Sequence, residues 1–109
     1  MRWLLDYLRT PSAFDGQPVA YAANQVGHCC LGMCLGWLSG GQTVAAILIY
    51  VVLIELPQYL RWKGTLSDGI EDTAHVTAGA LAGVCGLPAV ILSWMMICSG
   101  IALRLERRQ

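Results

Sequence analysis

The sequence predicts an all-α membrane protein: three transmembrane helices preceded by a short amphipathic helix that lies along the membrane surface. Of its 109 residues, 56% are hydrophobic and only 13% are charged. A soluble domain of this size needs a larger polar surface. The charged residues also leave three long apolar runs, over residues 19–38, 43–60 and about 73–103. A helix needs roughly 20 apolar residues to cross the hydrocarbon core. The length allows one domain, residues 1–109.

Residues 1–10 predict the interfacial helix. Arg2, Asp6 and Arg9 recur at helical spacing on one face, and Trp3 lies among the apolar residues that cover the rest. Tryptophan favours the headgroup level of a bilayer, so this segment is expected to lie along the surface. Pro11 ends it.

The three apolar runs differ in their charges. The run 19–38 has no Asp, Glu, Lys or Arg, and the run 43–60 contains only Glu55. The run 73–103 has none either, but at about 1.5 Å per residue it is too long for one perpendicular crossing. We therefore expect it to tilt, to begin in the interface, or to kink near the sequence CGLP at 85–88. Three crossings would place the two chain ends on opposite sides, where the Lys and Arg counts are nearly equal and favour a cytoplasmic N-terminus only slightly.

Polar side chains cluster where these runs meet one leaflet. The first span begins on the side where the second ends and the third begins, so their polar residues come to similar depth. An ionisable group at such depth costs about 2.5–3.5 kcal/mol, and it is therefore a functional candidate. The candidate catalytic residues are Glu55, His28, His75 and Asp72, and the candidate substrate-binding residues are Asn24, Gln25, Gln58, Arg61 and Lys63.

Three kinds of chemistry fit the four catalytic candidates. Two histidines and two carboxylates could hold a divalent metal, which is the only cofactor the sequence suggests. They could equally form an acid–base pair or a proton relay. The amide side chains could also serve simply as interhelical hydrogen bonds. The chain has no nucleophile motif, phosphate loop or zinc-protease pattern that would favour one enzyme class.

Small residues mark the expected helix contacts. Gly32 and Gly36 lie four residues apart in the first run, and Gly79 and Gly83 do so in the third. Small residues at this spacing let helices approach closely in lipid, so these faces predict helix packing, self-association or docking to a membrane-protein partner. Besides such a partner, the expected partner is the lipid bilayer. The net charge of zero gives no reason to expect a nucleic-acid partner.

Residues 25–83 resemble the VanZ-like membrane proteins. Those proteins carry a helix that ends in E-x-x-Q, an arginine-bearing loop, and acidic residues and a glycine entering the next helix, with a histidine on the helix before. Val76 stands where the family has an asparagine. The resemblance implies a small envelope-associated membrane protein of a family linked to glycopeptide (teicoplanin) resistance. The positions that carry it are His28, Glu55, Gln58, Arg61, Asp68, Asp72, Gly79 and Gly83.

Three functions follow as hypotheses. The first is a VanZ-like protein that handles an amphiphilic or envelope substrate at an intramembrane polar site. The second is a phage-type holin with three transmembrane helices, whose Glu and His side chains would line a membrane lesion. The third is a structural subunit of a membrane complex. All three predict an integral protein of the inner membrane of a bacterium or a phage-infected cell.

Overall fold

The computed structural model describes Phe14 and residues 17–61 and 64–106. This part of the chain is helical and contains no strand, which confirms the all-α prediction. The interfacial helix expected over residues 1–10 lies outside the described residues, and so does Lys63. The described helices are α1 (Pro18–Leu38), α2 (Thr43–Arg61), α3 (Leu66–Cys85) and α4 (Leu87–Glu106).

A tight turn joins α1 to α2. Gly40 and Gly41 adopt φ values of 65° and 83°, the left-handed region in which a side chain is costly. Helix α2 is α-helical over Thr43–Tyr50, winds as a π-helix over Val51–Glu55, and is α-helical again over Leu56–Arg61. The N–H of Leu56 bonds the carbonyl oxygen of Val51, five residues back. This wider turn lies directly before Pro57, which has no N–H with which to continue the α-helical ladder.

The third apolar run, expected as one membrane helix over about 73–103, is divided between α3 and α4. Helix α3 begins at Leu66, where the Thr65 hydroxyl accepts a hydrogen bond from the Asp68 N–H at 3.2 Å. It ends before Gly86, whose φ of 69° and ψ of −136° belong to a region that favours glycine. Pro88 then lies in the first turn of α4, where its missing N–H has no helical partner to lose.

This break reverses the direction of the chain. The guanidinium of Arg104, near the end of α4, lies over the ring of Tyr21, near the start of α1, at 3.6 Å from the ring centroid. Both ends of the described chain therefore lie at the same end of the bundle, which corrects the expectation that they lie on opposite sides. We call this end, formed by residues 18–28, 54–61, 66–76 and 100–106, the polar end.

Helices α1 and α3 pack backbone against backbone. A Cβ atom on Gly32 would overlap a carbonyl oxygen of α3, and one on Gly79 would overlap a carbonyl oxygen of α1. Gly36 also faces α3 closely, with the Ala80 backbone 3.1 Å from its Cβ position. Gly83 has nothing within 4 Å. Three of the four glycines predicted to serve helix association are thus occupied inside the chain, and the partner prediction itself stays a prediction.

The interior of the bundle contains both apolar and polar side chains, around a core of Tyr50, Ile54 and Val76, and many large apolar side chains lie on the outside. Helices α2 and α4 are long and apolar enough to cross a membrane. Large apolar side chains are exposed on all four helices: Trp37 is 79%, Leu60 69%, Ile70 62% and Leu87 70% exposed. The buried polar or charged residues are Asn24, Gln25, His28, Gln58, Asp72, His75, Ser93 and Arg104.

Candidate functional site

The candidate site is a layer of polar side chains that crosses the polar end of the bundle. Its centre joins α1 to α3, one flank joins α3 to α4, and the other lies on α2. The side chains of this layer that belong to one helix lie on the same face, because residues three or four apart share a face of a helix.

The centre is built around Asp72 on α3. The Gln25 Nε2 donates to Asp72 Oδ1 at 2.9 Å, and the His28 Nε2 lies 3.6 Å from Asp72 Oδ2. The side chain of His28 is 1% exposed and that of Asp72 is 12% exposed. The structure therefore brings together two predicted catalytic residues and one predicted binding residue.

Main-chain carbonyls orient both histidines. The His28 Nδ1 lies 2.9 Å from the Asn24 carbonyl oxygen, and the His75 Nδ1 lies 2.8 Å from the Glu71 carbonyl oxygen. A carbonyl can only accept, so Nδ1 carries a hydrogen in both rings. Nε2 of each ring is buried without a hydrogen-bond partner within the described part of the chain.

The pairing of His28 with Asp72 has a chemical consequence. A neutral ring with hydrogen on Nδ1 presents the lone pair of Nε2 towards a carboxylate oxygen, and two acceptors repel each other. The pair is stable when it holds one further proton, on Nε2 or on the carboxyl group. His28 and Asp72 can therefore act as an acid–base pair that stores and releases one proton.

The flank towards α4 consists of residues that the sequence reasoning did not place in the site. The Tyr21 hydroxyl donates to Glu71 Oε1 at 2.6 Å, and the Arg104 guanidinium approaches both Glu71 oxygens at 3.4 and 3.5 Å. Gly100 leaves room for the Tyr21 ring, because a Cβ atom there would overlap it. The sequence signal that could have revealed this flank was the break at Gly86, because a chain that reverses there returns Arg104 to the polar end.

The flank on α2 pairs Tyr50 with Glu55. The Tyr50 hydroxyl donates a hydrogen bond to Glu55 Oε1. Residues five apart project about 140° apart around an α-helix, so the wider π-helical turn is what aligns them. The Tyr50 ring also stands edge-on to the ring of His28 with centroids 5.9 Å apart, which links this flank to the centre. A Cβ atom on Gly69 would lie 2.7 Å from Glu55 Oε2, so the glycine gives the carboxylate space.

The other predicted residues occupy varied positions. His75 packs edge-on to Tyr21, with ring centroids 6.4 Å apart, and Glu55 bonds Tyr50 rather than a histidine. Gln58 is 3% exposed, and its Oε1 has no partner within the described residues. Arg61 is exposed at the end of α2.

The metal alternative gains no support from this geometry. Over residues 17–61 and 64–106, no group of three or more His, Cys, Asp or Glu side chains is placed to hold a metal ion. The centre offers one imidazole and one carboxylate, whereas protein metal sites usually supply at least three ligands. The arrangement suits proton transfer better than metal binding.

Two grooves open beside the polar layer. The α2–α3 groove has a volume of about 500 Å³, and the α3–α4 groove has about 430 Å³. The α2–α3 groove is bordered by Glu55 and Gln58, and the α3–α4 groove by Tyr21, Glu71 and His75. Each groove therefore brings a polar group of the layer next to an apolar surface.

Comparison with known proteins gives no relative: no family model matches the chain, and no curated protein or solved structure is detectably similar to it.

Proposed function

We propose that this chain is an integral membrane protein of the bacterial cell envelope, similar to the VanZ-like proteins, that handles an amphiphilic envelope substrate at its polar end. The observation that carries the proposal is the burial of polar side chains together with the exposure of large apolar ones. Side chains such as His28, Gln58 and Asp72 are buried, while Trp37 and Leu87 are more than two-thirds exposed.

The exposed apolar surface fits lipid better than water. A soluble monomer rarely exposes a contiguous apolar patch beyond a few hundred Å². Here, large apolar side chains are exposed along all four helices, and their exposed fractions reach 82% at Val19. In a bilayer, this surface would contact acyl chains, and the buried polar groups would hold the helices together by hydrogen bonds.

The polar layer supplies the chemistry for an amphiphile. The His28–Asp72 pair, which is buried and lines neither groove, can hold and release a proton within the polar layer. Glu55 and Gln58 border an apolar groove, where a polar headgroup and a hydrocarbon chain could be held together. The E-x-x-Q motif on which the VanZ-like resemblance partly rests supplies these two groups.

Inducible expression in a teicoplanin-sensitive bacterium tests the proposal. We expect the protein to stay in the membrane pellet after alkaline carbonate extraction and to raise the minimum inhibitory concentration of teicoplanin. Asp72→Asn should abolish the rise at unchanged protein level, because it removes the carboxyl group that shares a proton with His28. Glu106→Gln, the matched control, makes the same type of exchange at an exposed site and should retain the rise.

Each alternative outcome counts against a stated part of the proposal. Release by carbonate would show that the chain is not integral to the membrane. Abrupt growth arrest with loss of membrane potential would favour the holin hypothesis instead. Stable membrane insertion without any change in teicoplanin sensitivity would leave the structural-subunit hypothesis as the better one.

A further inference from the structure

We propose that the α2–α3 groove binds a single-chain amphiphile whose headgroup donates hydrogen bonds, of the alkyl-alcohol or alkyl-ammonium type, and that it rejects anionic headgroups. This inference rests on the proposed function and names the class of ligand that the groove would take.

The shape of the groove suits one hydrocarbon chain. The groove lies along α3 beside the part of α2 that includes and follows the π-helical turn. Its volume of about 500 Å³ falls within the roughly 300–1,000 Å³ that is usual for small-ligand sites. Its walls are mainly apolar, and the apolar side chains come from both helices: Val51, Leu56, Tyr59, Leu66, Ile70 and Ala74.

The groove offers hydrogen-bond acceptors on its α2 side. Glu55 and Gln58 lie three residues apart on α2 and both line the groove. Gln58 is 97% buried, and its Oε1 has no partner within the described residues. Glu55 Oε1 accepts from Tyr50, while Oε2 lies in the space left by Gly69. A ligand that donates a hydrogen bond would satisfy Glu55 Oε2, whereas a phosphate or carboxylate would meet another acceptor there.

The charges of the residues that line the groove also favour a donor headgroup over an anionic one. None of its described lining residues is a lysine or an arginine, so an anionic headgroup would find no cation among them. The α3–α4 groove also has no lysine or arginine among its described lining residues, but its acceptor differs. Its carboxylate, Glu71, already accepts from Tyr21 and pairs with Arg104, so it is not available to a donor in the same way.

Photolabelling in nanodiscs of zwitterionic lipid tests the inference. Three probes share one diazirine-bearing alkyl chain and end in a primary ammonium, a hydroxyl or a phosphate. We expect the first two to label peptides from 56–61 and 66–77, with labelling displaced by excess unlabelled probe. The phosphate probe should give only background labelling of these peptides.

Variants locate the labelled site. Ile70→Trp should abolish labelling because it fills the groove from an exposed position, whereas Val84→Trp makes a similar exchange on the same helix outside the groove and should not. Glu55→Gln should lower ammonium labelling about tenfold, equivalent to about 1.4 kcal/mol, and should change hydroxyl labelling less. Each variant must show the same carbonate resistance as the wild type, so that loss of labelling is not loss of fold.

The inference and the proposed function fail in different ways. Equal labelling by the phosphate probe, labelling that Ile70→Trp does not reduce, or labelling mainly of α4 would each overturn the groove assignment. Those results leave teicoplanin sensitivity and membrane insertion untouched. Release of the wild-type protein by carbonate would instead contradict the proposed function.

Discussion

Arg104 shows, at the scale of a residue, how a charge is accommodated inside this bundle. It is 7% exposed, yet its guanidinium approaches both oxygens of Glu71 and lies over the ring of Tyr21. The Gly100 carbonyl accepts a further hydrogen bond from it at 3.3 Å. The planar guanidinium can bond in its plane and stack through its face at once, which a lysine cannot do.

Replacing this arginine should weaken the bundle more than replacing an exposed one. We expect Arg104→Gln to lower the free energy of unfolding by on the order of 2 kcal/mol, because it leaves Glu71 without its charged partner. Arg61→Gln, at an exposed arginine, should change it by less than about 0.5 kcal/mol. Denaturant titration in mild detergent measures both. Equal effects of the two variants would mean that the pair with Glu71 contributes nothing to stability.

At the scale of an element, the contact between α1 and α3 positions the catalytic candidates. Gly32 and Gly79 remove the side chains that would otherwise separate the two backbones. Close approach then lets Gln25 and His28 on α1 reach Asp72 on α3 with ordinary side-chain lengths. The geometry of the centre therefore depends on glycines that carry no chemistry themselves.

A matched pair of alanine substitutions tests this dependence. Gly79→Ala should destabilise the protein by about 1–3 kcal/mol, because the new methyl group would overlap a carbonyl oxygen of α1. Gly83→Ala meets nothing within 4 Å on the same helix and should be neutral or stabilising by up to about 1 kcal/mol. Unfolding midpoints in detergent compare the two. A Gly79→Ala protein as stable as Gly83→Ala would contradict the close packing of α1 and α3.

At the scale of the whole molecule, the reversal at Gly86 gathers charge at one end. Among the described residues, Arg61 and Arg104 both lie at the polar end, and so do Glu55, Glu71 and Asp72. The opposite end is formed by the 39–42 turn and Gly86, which carry no charged side chain.

This asymmetry predicts a membrane orientation for the proposed integral protein. Lysine and arginine are enriched on the cytoplasmic side, so the polar end and the C-terminus should be cytoplasmic and the 39–42 turn periplasmic. A C-terminal fluorescent-protein fusion should fluoresce, and alkaline phosphatase inserted between Gly40 and Gly41 should be active. Activity of alkaline phosphatase at the C-terminus would contradict this orientation.

Part of the site could be predicted from sequence because it depends on helical spacing. The polar positions of α1 and α3 recur every three or four residues, so His28, Gln25 and Asp72 could be expected to meet once two apolar helices lay side by side. The partners of Glu55 could not be predicted in this way. Tyr50 lies five residues before it, a spacing that an α-helix separates and only the π-helical turn brings together.

The sequence by itself determined the helical class and the presence of polar side chains within apolar runs, because both follow from local composition and periodicity. Only the tertiary structure decided how many helices the last run forms. The sequence CGLP at 85–88 indicated a possible kink but not a reversal, which the backbone at Gly86, with its positive φ, provides. Because of that reversal, the end of α4 lies at the polar end, where Arg104 contacts Tyr21 and Glu71. Contacts between residues so distant in the chain are set by the packing of whole helices, which local sequence patterns do not encode.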